Sequence, residues 1–195
     1  MAMGRPREFD AEKALESALH VFWRKGYEGT SLSDLTEAMG INRPSLYAAF
    51  GNKEELFRKA LDRYTEGPAA FNREALKEPT ARKVVERLLA AAAVAMTDPC
   101  HPAGCLAVQG ALSCGEAAQS IREELTKRRA TFEAELRLRF ERAKAAGDLS
   151  AATGPADLAR YISTVIQGMA VQAAGGATRD DLKRVVDMVL RAWPA

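Results

Sequence analysis

The chain has 195 residues, 47% of them hydrophobic, and a formal net charge of +2. That length suits one or two compact domains, and that apolar content excludes global disorder. The longest apolar run, Leu88 to Met96, is too short to cross a bilayer, and no apolar core follows the basic residues of the N-terminus, so no membrane partner and no secretory signal are expected.

Alanine, leucine, glutamate and arginine dominate without strand-like alternation, which makes the expected fold class all-α. Residues 1–8 read as a flexible arm carrying Arg5 and Arg7. Asp10 opens a helix whose stripe of Leu15, Ala18, Leu19 and Phe22 follows the helical period, and Gly26 closes it. His20 falls off that stripe and is expected on the solvated surface. Thr30 or Ser31 caps a short second helix with Asp34 at the capping-box position, and Leu32, Leu35 and Met39 share its inner face. Gly40 ends it. Asn42 caps a third helix, Pro44 fits its first turn, and Leu46 and Phe50 face inward. Asn52 and Glu55 have capping-box spacing for the helix bearing Leu56, Phe57, Ala60, Leu61 and Tyr64. Gly67-Pro68 breaks that helix, dividing the chain into residues 1–66 and 67–195.

Beyond the break, an apolar stripe from Val84 to Met96 predicts a helix over about 80–97. A two-proline loop follows, then a short apolar helix from Cys105 to about Cys114 and a long one from about Ala117 to Gly147. Pro155 starts a helix that is apolar over most of its circumference. Thr178 with Asp181 caps the last one, whose stripe is Leu182, Val185, Val186, Val189 and Trp193. These two terminal helices carry more apolar surface than one monomer face needs, so a partner surface and complete burial within the monomer both fit the periodicity.

Two short capped helices about a glycine turn, from Thr30 to Leu56, are how a helix-turn-helix reads in sequence. A corner of an ordinary bundle has the same spacing. Arg43 suits two hydrogen bonds to one guanine edge. Ser45 and Tyr47 bring hydroxyls to the same face as Arg43 and Pro44. Thr30 and Ser31, at a helix start, suit a phosphate, as does Lys53 at the next. Arg5 and Arg7 either reach along the duplex or into a minor groove, or make no contact. Residues 1–66 hold ten basic and eleven acidic side chains, so DNA binding has to rest on local placement.

The wider pattern is more specific. Ala18, Phe22, Gly26-Tyr27, Thr30-Ser31-Leu32, Leu35 and Ala38-Met39-Gly40-Ile41 come first. Ser45-Leu46-Tyr47, Phe50, Asn52-Lys53-Glu54 and Leu56 complete it. From Phe9 to Tyr64 the chain resembles the DNA-binding domain of the TetR/AcrR family of bacterial transcriptional repressors. The resemblance implies a three-helix reading head and a helical C-terminal domain for ligand binding and dimerisation. It implies a homodimer on palindromic operator DNA, released by a small-molecule effector whose identity the sequence does not disclose. By position in the motif, Tyr47 and Lys53 would clamp the DNA backbone. Ala48 and Ala49 depart from members with larger side chains there, leaving recognition more dependent on Arg43, Ser45 and DNA shape.

Under that resemblance, the terminal helices would pack as a four-helix bundle with their symmetry mates through Ile162, Val165, Ile166, Val185, Val189 and Trp193. An effector pocket is expected near Cys100–Gln109. Met96, Phe132, Tyr161, Val165 and Met169 would form its apolar wall, with His101, Gln109, Tyr161 and Cys105 as polar groups. Three readings of Cys100, His101, Cys105 and Cys114 stay open. They are small core residues with a loop histidine, or a reactive thiol at Cys105, or a soft metal site, although the spacing matches no standard zinc pattern. The Gly104-Cys105-Leu106 segment resembles that of electrophile- and oxidant-sensing family members. If one helix joins Cys105 and Cys114 they sit roughly 13 Å apart, too far for a disulfide; Cys100 and Cys105 pair more readily. An odd cysteine count makes no disulfide framework, which points to a cytoplasmic protein. No metal site and no cofactor are expected. With no nucleophile elbow, phosphate loop or dinucleotide motif, an enzyme is not expected, and without a sustained heptad neither is a coiled-coil adaptor.

Overall fold

The computed structural model describes residues 9–112 and 118–194, and every regular element among them is a helix. Arg5, Arg7 and Cys114 lie outside the described residues.

Side-chain caps set the first four helices. Asp10 Oδ1 accepts from the amides of Glu12 and Lys13, both at 3.1 Å, at the start of α1 (Ala11–Lys25). Ser31, rather than Thr30, caps α2 (Leu32–Met39): its hydroxyl accepts from the Asp34 amide at 3.0 Å while Asp34 accepts from the Ser31 amide at 2.9 Å. Two orphan amides are thereby satisfied. Asn42 caps α3 (Arg43–Phe50) through the Ser45 amide, and Asn52 and Glu55 form the second box, at the head of α4 (Lys53–Glu66). Between α2 and α3, Gly40 has φ +65° with open space around a would-be Cβ. Backbone conformation alone therefore requires glycine there. Gly40→Ala should lower stability by about 1 kcal/mol in urea denaturation; an unchanged midpoint would show that the turn tolerates a side chain.

α1 packs against α2 and α4 around Phe22 and Phe57, both fully buried and edge to face at 5.0 Å. The expected break at residue 67 is followed by a short helix absent from the sequence reading, α5 (Phe71–Ala75). Five residues are too few for a helical period to declare itself, and it has no side-chain cap. Next come α6 (Ala81–Ala95), α7 (Leu106–Leu112), α8 (Gln119–Ala145), α9 (Pro155–Ala174) and α10 (Arg179–Arg191). Their core gathers Val84, Leu88 and Leu89 of α6 with Phe140 of α8, Ile162 of α9 and Val186 of α10.

The apolar interior does not stop at the chain break. Leu106 of α7 and Ile121 and Leu125 of α8 are fully buried in the same cluster as Phe22, Phe57 and Leu61. Cys105 packs against both clusters. The N-terminal helices therefore stand on α7 and the first half of α8.

Candidate DNA-reading face and effector cavity

Arg43, Pro44, Tyr47 and Ala48 are exposed along one side of α3, Ser45 is half-buried, and Leu46 and Phe50 anchor the other side. Tyr47, at 48% exposure, is a large aromatic held out in solvent at this face. The Arg43 guanidinium donates to Ser33 Oγ at 3.1 Å, bridging α3 to α2. Ser33 is exposed at the same surface and was not singled out in the sequence, because nothing in α2 alone shows that it faces Arg43. Lys53 lies over the ring of Tyr27 at 4.4 Å. Burial pulls its pKa down, against the opposing pull of Glu28 and Asp34.

Thr30 requires a correction. It is buried, and its hydroxyl donates to the Gly26 carbonyl at 2.6 Å, locking the loop into α2. Its amide points to the Tyr27 carbonyl. With both donors turned inward, Thr30 holds the loop and does not face the reading surface; exposed Ser31 does.

The nearly balanced charge of the N-terminal region is resolved by placement. Arg63 bridges α4 to Glu12 and Glu16 of α1, Arg58 pairs with Glu54 at 2.7 Å, and Lys25 pairs with Asp34 at 2.7 Å. Acids and bases therefore neutralise each other away from α3, whereas Arg43 is held by a serine. The Asp34 carboxyl is held down to about 2, first by the Lys25 hydrogen bond and then by the Ser31 amide. Its folded pKa is depressed, so its support for the cap is complete above the ordinary value and is lost as pH falls towards 2.

A cavity of about 330 Å³ opens where α4 meets the C-terminal helices. Met96, Cys105 and Phe132 stand in its wall as expected, joined by Tyr64 of α4 and Trp23 of α1. Gly104, at φ +90°, also lines it. A Cβ there would lie 2.9 Å from the Ala170 carbonyl oxygen, so the loop touches α9 backbone to backbone.

Five expected wall residues are elsewhere. Tyr161 is 48% exposed, about 100° around α9 from buried Ile162, and points away from the cavity side. Val165 is half-buried against the C-terminal core and Met169 is buried within it. Gln109 spans the loop, donating to the Ala103 carbonyl at 3.2 Å. His101 stacks on Trp23 with centroids 5.7 Å apart and meets His20 edge-on at 5.5 Å. His20 is therefore not a freely solvated residue: its ring is packed between Glu16 and His101. This junction was invisible in the sequence because the two histidines are the chain's only ones and lie far apart in it.

The expected partner surface is corrected in the same way. Ile162 and Val189 are buried within the protomer, at 0% and 5% exposure, Trp193 packs on Phe140, and Ile166 lines the cavity. The apolar side chains left outside are Tyr161 and Val171 on α9 and Val185 and Met188 on α10. Cys100 is exposed and Cys105 half-buried, and both are free thiols. The Tyr64 hydroxyl donates to Cys105 Sγ at 3.2 Å. Burial, and then Cys105, push the Tyr64 pKa well above its ordinary value. No cluster of three or more His, Cys, Asp or Glu that would hold a metal occurs among the described residues. Nor is any helix among them long and apolar enough to cross a membrane.

A capped helix-turn-helix with an exposed second helix, mounted on a helical body with its own cavity, defines a helix-turn-helix type of DNA-binding protein. Residues 14–60 match the family described as bacterial regulatory proteins, tetR family, and residues 79–189 match the tetracyclin repressor-like C-terminal domain. The chain therefore belongs to the TetR family of bacterial transcriptional repressors and is a helix-turn-helix DNA-binding regulator. It is 36% identical to the HTH-type transcriptional repressor ComR of Escherichia coli (strain K12), over 98% of this chain and 92% of that protein. The HTH-type transcriptional repressor BdcR of the same organism is 31% identical over 92% of this chain and 86% of its own length. Among solved structures, a cysteine-substituted TetR family regulator, CifR, complexed with a 26 bp double-stranded operator DNA, is 44% identical. It superposes with a TM-score of 0.93 over 98% of this chain and 100% of its own.

Proposed function

We propose that the chain represses transcription in the cytoplasm by binding a palindromic operator as a homodimer, and that a small molecule in the junction cavity releases it. Residues 1–66 would be the reading head and 67–195 the effector-binding and dimerisation domain. The exposed face of α3 carries this reading: Arg43 stands at the first turn with a serine as its hydrogen-bond partner, one helical turn from solvent-exposed Tyr47. The operator complex of CifR supports it, since that protein shares the fold along its whole length. Two-fold symmetry of a dimer would set the symmetry of the site. The apolar face of Tyr161, Val171, Val185 and Met188 on adjacent terminal helices supports the dimer.

Release follows from the reach of α4. Lys53 stands at the end beside the DNA face, and Leu61, Tyr64 and Thr65 stand in the cavity wall. A ligand that pushes on the far end turns the near end. It shifts the equilibrium only if it binds the DNA-incompetent arrangement more tightly.

Arg43→Ala should cost about 1–3 kcal/mol of operator affinity and relax preference at one base pair, while Lys53→Ala should weaken all sequences alike. Competition shift assays at near-physiological salt check both. Unchanged binding by Arg43→Ala would remove that residue from the reading face.

A second reading makes Cys105 a reactive thiol. The favouring observation is its place in the cavity wall under the Tyr64 hydroxyl, so that an adduct on Sγ would displace a side chain of α4. Cys105→Ser should abolish release by electrophiles and spare release by a non-covalent ligand; release by electrophiles from the serine variant would end this reading.

A further inference from the structure

The cavity wall is apolar over most of its extent, through Met96, Phe71, Phe132 and Ile166, yet three of the residues lining it each carry a buried polar atom with no hydrogen-bond partner. They are the indole Nε1 of Trp23 on α1, the Oδ1 of Asn72 on α5 and the hydroxyl of Ser163 on α9. Each is closed to water in the empty protein, so a ligand bonds it only by parting the side chains that cover it. Trp23 and Ser163 are each only 3% exposed as whole residues. A buried polar atom without a partner is costly, and native proteins leave few of them. Two of them, on α1 and α9, mark positions where a bound acceptor would supply what the empty protein lacks; Asn72 Oδ1 is itself an acceptor and is not met by such a group.

The cationic groups of the wall do not ask for an anionic ligand, and its acids are Glu124, paired with Arg128, and half-buried Glu135. Arg128 is engaged by Glu124 at 2.8 Å and by Asp62 of α4 at 2.6 Å. Arg129 donates to the Ala107 carbonyl at 2.7 Å and to Thr126 Oγ1 at 3.1 Å. Arg73 and Lys127 are exposed, with water as their solvent. The unmet demand is for neutral hydrogen bonds, and an indole N–H can only donate. The volume, about 330 Å³, is room for on the order of ten non-hydrogen atoms at the ~30 Å³ that a water occupies.

We propose that the effector is a neutral, mostly apolar molecule of single-ring size with a carbonyl-type acceptor, bonded by the Trp23 indole N–H and the Ser163 hydroxyl. This rests on the junction cavity being the effector site. It adds a direct path to the DNA-reading head: Trp23 belongs to α1, packs edge to face on Tyr64 at 4.7 Å and stacks on His101. A ligand holding the indole engages α1 and α4 together, on one side of the His101–Trp23 contact that joins head to body.

Acetophenone, ethylbenzene and phenylacetate share a ring and differ in the group to be recognised. Calorimetric titration of the full-length protein should find acetophenone bound about fivefold or more tighter than ethylbenzene, the worth of about one neutral hydrogen bond. Phenylacetate should bind more weakly than the ketone, because the unpaired cations of the described wall, Arg73 and Lys127, are exposed and already solvated by water. Ser163→Ala removes a donor while nearly keeping shape; Trp23→Phe removes the other and also enlarges the cavity, so it is read as the ratio of ketone to hydrocarbon affinity. Each should lower the ketone-to-hydrocarbon affinity ratio towards one, with ethylbenzene binding unchanged in Ser163→Ala. Equal binding of ketone and hydrocarbon, tightest binding of the acid, no binding of any of the three, or a ketone preference surviving both substitutions would each overturn the ligand class. Operator release, followed by fluorescence anisotropy on the same samples, separates the two claims. A ketone that binds with this discrimination but leaves the operator bound overturns the effector role of the cavity alone. Release without discrimination overturns the ligand class alone.

Discussion

Met188→Lys is expected to produce a folded monomer that has largely lost operator binding. Met188 is 61% exposed in the protomer, so the substitution costs the isolated fold little, and a cation in the last turn of α10 suits the helix dipole. In the proposed dimer the same position is covered by the symmetry mate. Arg184 and Arg191 lie four and three residues away on the helix, so the new charge joins others of its sign and has to be desolvated. Losing one reading head removes about half of the roughly 4–10 kcal/mol that separates specific from non-specific sites, on the order of 30- to 4,000-fold in affinity. Analytical ultracentrifugation and circular dichroism check the prediction together: monomer mass with native helicity is expected. A Met188→Lys protein that sediments as a dimer would place the interface elsewhere. Val189→Lys should behave differently, giving insoluble or unfolded protein, because Val189 is buried in the protomer's own core.

Phe57→Ala should destabilise the protein by about 3–5 kcal/mol, a large part of the roughly 5–15 kcal/mol that holds a typical domain together. Phe57 is fully buried on α4 and meets Phe22 at 5.0 Å and Tyr27 at 5.3 Å, both edge to face. Its ring also reaches towards Gly110 of α7, so the cavity left behind would loosen the reading head and its footing at once. Urea denaturation followed by circular dichroism measures the loss; a change below about 1 kcal/mol would mean the site collapses around the smaller side chain.

Local chemistry was legible in the chain. The Ser31–Asp34, Asn52–Glu55 and Thr178–Asp181 boxes, the Gly40 turn and the inward Leu46 and Phe50 all follow from interactions within a few residues, and the structure has them where the spacing puts them. What failed depended on rotation about a helix axis or on distant packing. The apolar stretch of α9 was evident, but periodicity alone does not say which side meets α8. Tyr161, expected in the cavity wall, is therefore exposed, and Ile162, expected at the partner surface, is buried in the protomer's own core. Thr30 and Ser31 were equivalent as caps until the Gly26 carbonyl claimed the threonine hydroxyl. Trp23 had no sequence signal as a cavity residue, since its neighbours Tyr64, His101 and Cys105 are all far from it in the chain.

The central claim is that α3 reads a two-fold symmetric duplex site. Repeated selection of bound fragments from a pool of random DNA duplexes, with the full-length protein at near-physiological salt, tests it most directly. Enrichment of one inverted repeat is expected, with half-sites about one helical turn, or a multiple of it, apart. A pool that remains random after selection, with binding that only fades as salt rises, would contradict it.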